Sequence, residues 1–243
     1  VTTVPSDWTT KYDDANFLQV TDTLKALQRL AERHRDEFDI PIVGITGSNG
    51  KTMVKEWLNQ LMSPEMKVTR SPRSYNSQIG VPLSVWLLDK QTKLGIFEAG
   101  ISQPGEMLAL RDIIQPTIAV LTNLGAAHQE NFPSVEDKAG EKSILFHDAK
   151  TIVYPCDDEA VSSVVARMNY GGEKLCWSTK DHHAPMFVKS IEKKDTATTI
   201  TYIYNSGQEN WYSIPFIDNA SITCSIVCAT IALRLGLESL TCV

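Results

Sequence analysis

The sequence predicts an α/β fold: a mainly parallel, doubly wound sheet flanked by helices, with a small antiparallel β element appended. Three observations predict it. Short apolar runs alternate with segments of helical periodicity over residues 40–177, the pattern of consecutive βα units. A glycine-rich turn separates the first such run from the first following helix. Beyond about residue 185 the pattern becomes β-branched and strictly alternating, as in antiparallel strands with one solvated face.

Residues 1–16 carry no periodicity. Leu24, Leu27, Leu30, Ala31 and Phe38 then recur at helical spacing behind the capping residues Thr21 and Asp22. Ile40–Thr46 reads as a buried strand, and Lys51–Met62 as a helix with Val54, Trp57, Leu58 and Leu61 on one face. Further strands are expected at Met66–Thr69, Leu94–Ala99, Ile118–Asn123, Thr151–Tyr154 and Lys174–Trp177. Helices are expected between them at Ile79–Leu88, Gly105–Ile114, Val135–Phe146 and Asp158–Met168. Phe187–Ile191, Thr198–Tyr204 and Trp211–Phe216 are expected as antiparallel strands, separated by Glu192–Asp195 and by an Asn205-Ser206-Gly207 turn. A last helix covers Ser221–Leu235 and stops near Gly236.

Composition narrows the function classes. The chain has 243 residues, 42% hydrophobic and 21% charged, which suits one large globular domain or one domain with a small appendage. No run nears the roughly 18 apolar residues of a membrane span, so no membrane insertion is expected. The net charge of −6 and the lack of a basic block argue against nucleic acid as a partner. Five scattered cysteines without a CxxC pair argue against a disulfide scaffold or a zinc ribbon, and fit a reducing, cytoplasmic setting. Cys224 and Cys228, four apart on a helical face, read as core rather than as a metal pair.

Gly44-Ile45-Thr46-Gly47-Ser48-Asn49-Gly50-Lys51-Thr52 is the most informative stretch. Glycines between a strand and a helix let backbone N–H groups turn toward an anion, and the helix N-terminus adds partial positive charge. In that context Lys51 would reach the β- and γ-phosphates and the Thr52 hydroxyl would ligate Mg²⁺. The general phosphate-loop (P-loop) pattern asks for glycine five residues before Gly50, where Ile45 stands. Glu98 ends an apolar run, the position at which α/β sheets place ligands. A carboxylate there could hold Mg²⁺ beside a triphosphate, and could equally be a solvated turn residue. His128 follows another strand end, and Lys142 lies on an expected helix, where a solvated lysine is the ordinary alternative.

Thr46-Gly47-Ser48-Asn49-Gly50-Lys51-Thr52 resembles the phosphate loop of the Mur ligase family, which makes amide bonds in bacterial cell-wall precursors. Tyr75–Ser84, with its Asn76-Ser77-Gln78-Ile79-Gly80-Val81-Pro82-Leu83 core, resembles the branch that joins D-alanyl-D-alanine to UDP-N-acetylmuramoyl-tripeptide. Phe97-Glu98-Ala99-Gly100 followed by Pro104-Gly105-Glu106-Met107 is similar to that branch's metal-binding segment. Thr122–His128, with Glu141-Lys142 downstream, is similar to its Thr-Asn-Ile-Gly-x-Ala-His motif and lysine. The resemblance runs from about residue 17 to the end of the sequence. It implies ATP and Mg²⁺ as cofactors, with Gly47, Ser48, Asn49, Gly50, Lys51, Thr52, Asn76 and Asn219 on the nucleotide. It implies Thr52 and Glu98 on one cation and His128 on a second. Lys142 would match a lysine that some members carry as a carbamate; unmodified, it would neutralise phosphate charge instead, and both roles stay open. Near Asn219 the pattern departs, because Asp218 replaces a histidine and Cys224 an asparagine on the adenine side.

The implied reaction is ATP-dependent amide formation through an acyl phosphate, with Lys51, His128 and Lys142 as the catalytic group. Family members have three domains. The resemblance makes residues 1–39 an N-terminal segment with an inter-domain helix and residues 40–243 the central ATP-binding domain. The missing N- and C-terminal domains of the same polypeptide would then be its partners, beside the two substrates. Ser71–Trp86 resembles forms that continue into an alanine racemase. Two other readings are a different superfamily ligase, such as a folylpolyglutamate synthase, against which the Asn76–Ser84 segment argues, and a non-enzymatic nucleotide switch, which no feature requires.

Overall fold

The computed structural model describes residues 16–124, 131–238 and 240. A nine-stranded sheet runs in the order β2-β3-β1-β4-β5-β6-β7-β8-β9. Its strands are β1 (Ile42–Thr46), β2 (Val68–Arg70), β3 (Leu94–Glu98), β4 (Ile118–Leu121), β5 (Thr151–Pro155), β6 (Glu173–Ser178), β7 (Met186–Lys194), β8 (Ala197–Tyr204) and β9 (Glu209–Ile214). The helices are α1 (Thr23–Arg35), α2 (Lys51–Met62), α3 (Gly80–Val85), α4 (Glu106–Ile114), α5 (Val135–Ser143), α6 (Glu159–Arg167) and α7 (Asn219–Arg234). None is long and apolar enough to cross a membrane, among the described residues.

Pairing is parallel from β2 through β7 and antiparallel only for β7–β8 and β8–β9. β7 therefore extends the parallel sheet, where the sequence pattern suggested an antiparallel start. The charged separator Glu192–Lys194 is also strand: Lys194 pairs with Ala197, and Asp195 at φ +39° helps turn the hairpin. Charges are tolerated there because these residues are exposed.

Period-2 alternation sorts the sheet's side chains into two cores. Val43, Ile45, Ile96 and Val120 pack with α2 and α7 on one face. Ile42, Phe97, Ala119 and Leu121 pack on the other with Ala31 of α1, Val81 of α3, Leu110 of α4 and Val161 of α6. Every residue of β1 is buried, as expected of a strand covered on both faces. Helix α3 is shorter than the expected Ile79–Leu88, because Leu87 and Leu88 donate to carbonyls only three residues back. Helix α5 likewise tightens into a 3₁₀ turn at Ile144–Phe146. Helix α1 is tied to the C-terminal end of α4 by Arg35, which donates to the carbonyls of Ile114 and Gln115.

The cysteines correct one expectation. Cys156 and Cys176 form a disulfide with Cα atoms 5.5 Å apart. Twenty residues separate them in sequence, so no local motif signals the pair; parallel pairing of β5 and β6, which sets Tyr154 opposite Cys176, brings them together. Cys224 and Cys228 are free and buried in the core, as their helical spacing suggested.

Candidate active site

Strand β1 pairs with β3 on one side and β4 on the other. Connections from β1 run to one edge of the sheet through β2 and β3 and then cross to the other through β4, so the C-terminal end of β1 opens at the sheet's topological switch point. The glycine-rich loop sits there. Gly47 has φ +141°, and a Cβ at this position would lie 2.0 Å from the Thr122 hydroxyl. Gly50 has φ +81° and starts α2 without a side-chain cap, which leaves the helix N-terminus directed at the loop. Asn123 clamps the loop: its carbonyl accepts from the Ser48 amide at 3.0 Å and its side-chain oxygen accepts from the Asn49 amide at 3.0 Å. Thr122 adds a hydroxyl bond to the Asn49 carbonyl at 2.6 Å.

Two ammonium groups converge on one carbonyl. Lys51 donates to Gly47 O at 2.9 Å, and Lys142 reaches the same oxygen at 3.4 Å. Burial lowers the pKa of Lys51, against the raising pull of Glu98. Burial, with repulsion from Lys51 and Lys138, brings Lys142 down to about 7. A site that crowds cations together in this way is suited to an anion. Gly47, Ser48, Lys51, Asn76, Ser77 and Lys142 all line one cavity of about 170 Å³.

Glu98 closes the site from β3. Its side chain is fully buried; one carboxylate oxygen accepts from the Thr52 hydroxyl at 3.0 Å and from the Asn76 amide at 3.5 Å. The other faces the Lys55 ammonium at 2.9 Å. Thr52 and Glu98 thus offer adjacent hard oxygens, a donor set that fits Mg²⁺, which binds through one or two protein oxygens and completes its shell with water and phosphate. Among the described residues no group of three or more His, Cys, Asp or Glu side chains is placed to hold a metal ion.

The remaining predicted positions separate. His128 lies outside the described residues. Asn219 opens α7, five residues before Cys224, whose thiol lies 3.9 Å from the Gly50 carbonyl; its amide oxygen accepts from Lys193 at 2.8 Å. Asp218, standing where the family pattern has histidine, caps α7 by accepting from the Ser221 amide. Glu141 does not enter the cavity lining but caps α4 through the amides of Gly105 and Met107. Sequence reasoning missed Lys55. The signal available was its place one helical turn after Lys51, on the same face of α2.

Comparison with known proteins gives the family and the fold. A model described as the Mur ligase middle domain matches residues 45–232. A UDP-N-acetylmuramoyl-tripeptide–D-alanyl-D-alanine ligase of Borreliella burgdorferi is 30% identical over 227 residues, covering 91% of this chain and 47% of that protein. The Bacillus subtilis protein of that name is 28% identical over 206 residues, covering 84% and 43%. The chain therefore spans about half the length of these curated relatives. A crystal structure of a MurF ligase from Thermotoga maritima in complex with ADP superposes with a TM-score of 0.83 at 24% identity, covering 99% of this chain and 54% of that one. This structural likeness establishes the shared fold.

Proposed function

The chain belongs to the Mur ligase family, and from that premise we propose that it is the ATP-handling part of a ligase joining D-alanyl-D-alanine to UDP-N-acetylmuramoyl-tripeptide. The observation that carries this reading is the meeting of Lys51, Thr52, Asn76, Glu98 and Lys142 around the phosphate loop at the switch point. The relatives that carry this activity in their names support the substrate pair.

In this reading the loop residues Gly47–Lys51 hold the ATP phosphates and the first turn of α2 contributes its dipole. Thr52 and Glu98 would hold Mg²⁺, which when bound neutralises phosphate charge. Lys51 shields the γ-phosphate as it passes to the peptide carboxylate. Lys142, held near 7 by burial and neighbouring ammoniums, regains its charge beside a phosphate or acyl phosphate; left neutral, its amine is the form that takes up carbon dioxide as a carbamate. Asn76 fixes the Glu98 carboxylate from the segment that follows β2. The amine of D-alanyl-D-alanine then displaces phosphate from the acyl phosphate, with the protein's contribution being position and charge. Asn219 is assigned to the adenine side and His128 to a second cation, both by family resemblance. Residues 40–243 form the ATP-binding domain in this scheme, with residues 1–39 leading into it, and ATP use suits a cytoplasmic setting.

The test is phosphate release by the full polypeptide with Mg-ATP and each substrate alone or both together. Release that requires both substrates, with the amide product seen by mass spectrometry, is the expected result. Lys51→Ala should remove ATP binding in calorimetry with the circular dichroism unchanged. Unaltered ATP affinity in that variant would sink the site assignment.

A further inference from the structure

Lys55 is a fully buried lysine at the centre of a four-way contact. Its ammonium lies 2.9 Å from Glu98 Oε1 and 3.1 Å from Glu56 Oε1, and it donates to the Ser71 carbonyl at 2.9 Å and to the Arg73 carbonyl. Ser71 in turn is locked to β3, its amide donating to Ile96 O and its hydroxyl accepting from the Glu98 amide. One cation therefore ties together α2, the end of β3 and the stretch that leads from β2 to Asn76. A buried ion pair is a weak source of stability, because desolvation offsets most of its attraction. What this pair does achieve is orientation. Oε1 faces the Lys55 ammonium at 2.9 Å as a buried charge pair without a hydrogen bond of its own, and Oε2 is the oxygen turned toward Thr52 and Asn76.

We propose that Lys55 is a positioning residue that holds the Glu98 carboxylate in the orientation needed to ligate the cation beside Thr52. The proposal rests on the reading of Thr52 and Glu98 as the Mg²⁺ side of the site. Lys51 and Lys55 are one helical turn apart and divide the work. Lys51 lines the phosphate cavity, whereas Lys55 lies beneath the carboxylate and does not line it. A cation 2.9 Å from Glu98 that merely competed with the metal would give the reverse sign, its removal tightening Mg²⁺ binding.

The experiment titrates ATP into the full chain by calorimetry with and without Mg²⁺ and compares the affinity gain due to the metal. Glu98→Gln should lose that gain, which tests the underlying reading by itself. Lys55→Met should cut it by about 10–100-fold, as loss of a partner behind a metal ligand does, with the loss confined to the Mg²⁺ series. Lys55→Arg, which keeps a buried cation, should restore part of it. A gain in Lys55→Met equal to or above the parent's, with Glu98→Gln lacking it, would overturn the positioning role and leave the metal site standing. A full gain in Glu98→Gln would overturn both. Should Lys55→Met fail to melt cooperatively, Lys55→Gln keeps an N–H donor for the Ser71 carbonyl without the charge, and carries the same expectation.

Discussion

At Gly47 a φ of +141° meets a neighbouring hydroxyl that leaves no room for a Cβ. Gly47→Ala is therefore expected to cost about 1–3 kcal/mol of stability and to weaken ATP binding, read by melts and calorimetry on one preparation. Normal affinity in the alanine variant would mean that the loop reshapes freely. Lys142 makes a pH prediction whose sign follows from its depressed pKa. Its ordinary value is 10.5 and its folded value about 7. Between these pH values the unfolded chain holds a proton that the folded chain lacks, so stability rises with pH across that window. Below pH 7 the lysine is charged in both states and its burial cost is fully present. Lys142→Met should thus be more stable than the parent at pH 6, by an amount on the order of a few kcal/mol, and the advantage should shrink toward pH 10. Urea melts at the two pH values decide it; a constant difference would contradict the buried, crowded ammonium.

At the scale of elements, the disulfide and the helix caps carry the next expectations. Cys156–Cys176 closes a loop of 20 residues across β5 and β6. Reduction should lower stability by about 2–4 kcal/mol, seen as a lower Tm in dithiothreitol and absent from a Cys156→Ser variant. Equal melting with and without reductant would show that β5–β6 pairing needs no covalent tie. Helix α6 begins at Asp158, whose carboxylate accepts from the Val161 amide. Asp158→Ala should cost about 1 kcal/mol without touching nucleotide binding. The start of α6 was legible because its cap, Asp158, is sequence-local. The end of α3 was not: three apolar residues beyond it, Trp86, Leu87 and Leu88, continue the helical pattern while the backbone has already tightened into a turn.

For the whole molecule, the site is a product of strand order. Lys51 and Thr52 follow β1, Glu98 ends β3 and Lys142 comes from α5, yet they meet because β1 sits between β3 and β4. Ligand binding at such a junction should stabilise the entire sheet. Mg-ATP at a hundred times its Kd is expected to add about 2.7 kcal/mol, and none in Lys51→Ala. A parent Tm that ignores Mg-ATP would count against the nucleotide site.

The alternation of strands and helices, the glycine loop with Lys51 and Thr52, and the buried central strand are each written in contiguous residues and were legible from them. The sequence also marked Glu98, at the end of an apolar run. Tertiary structure alone decided which oxygen of Glu98 faces Thr52, that Asn123 clamps the loop, and that Lys55 is buried behind the carboxylate rather than solvated on α2. It alone paired Cys156 with Cys176 and set β7 parallel to β6. The physical reason is common to all of these. Periodicity records which face of an element is apolar, whereas partners distant in sequence are selected by sheet order and register, which no local pattern encodes.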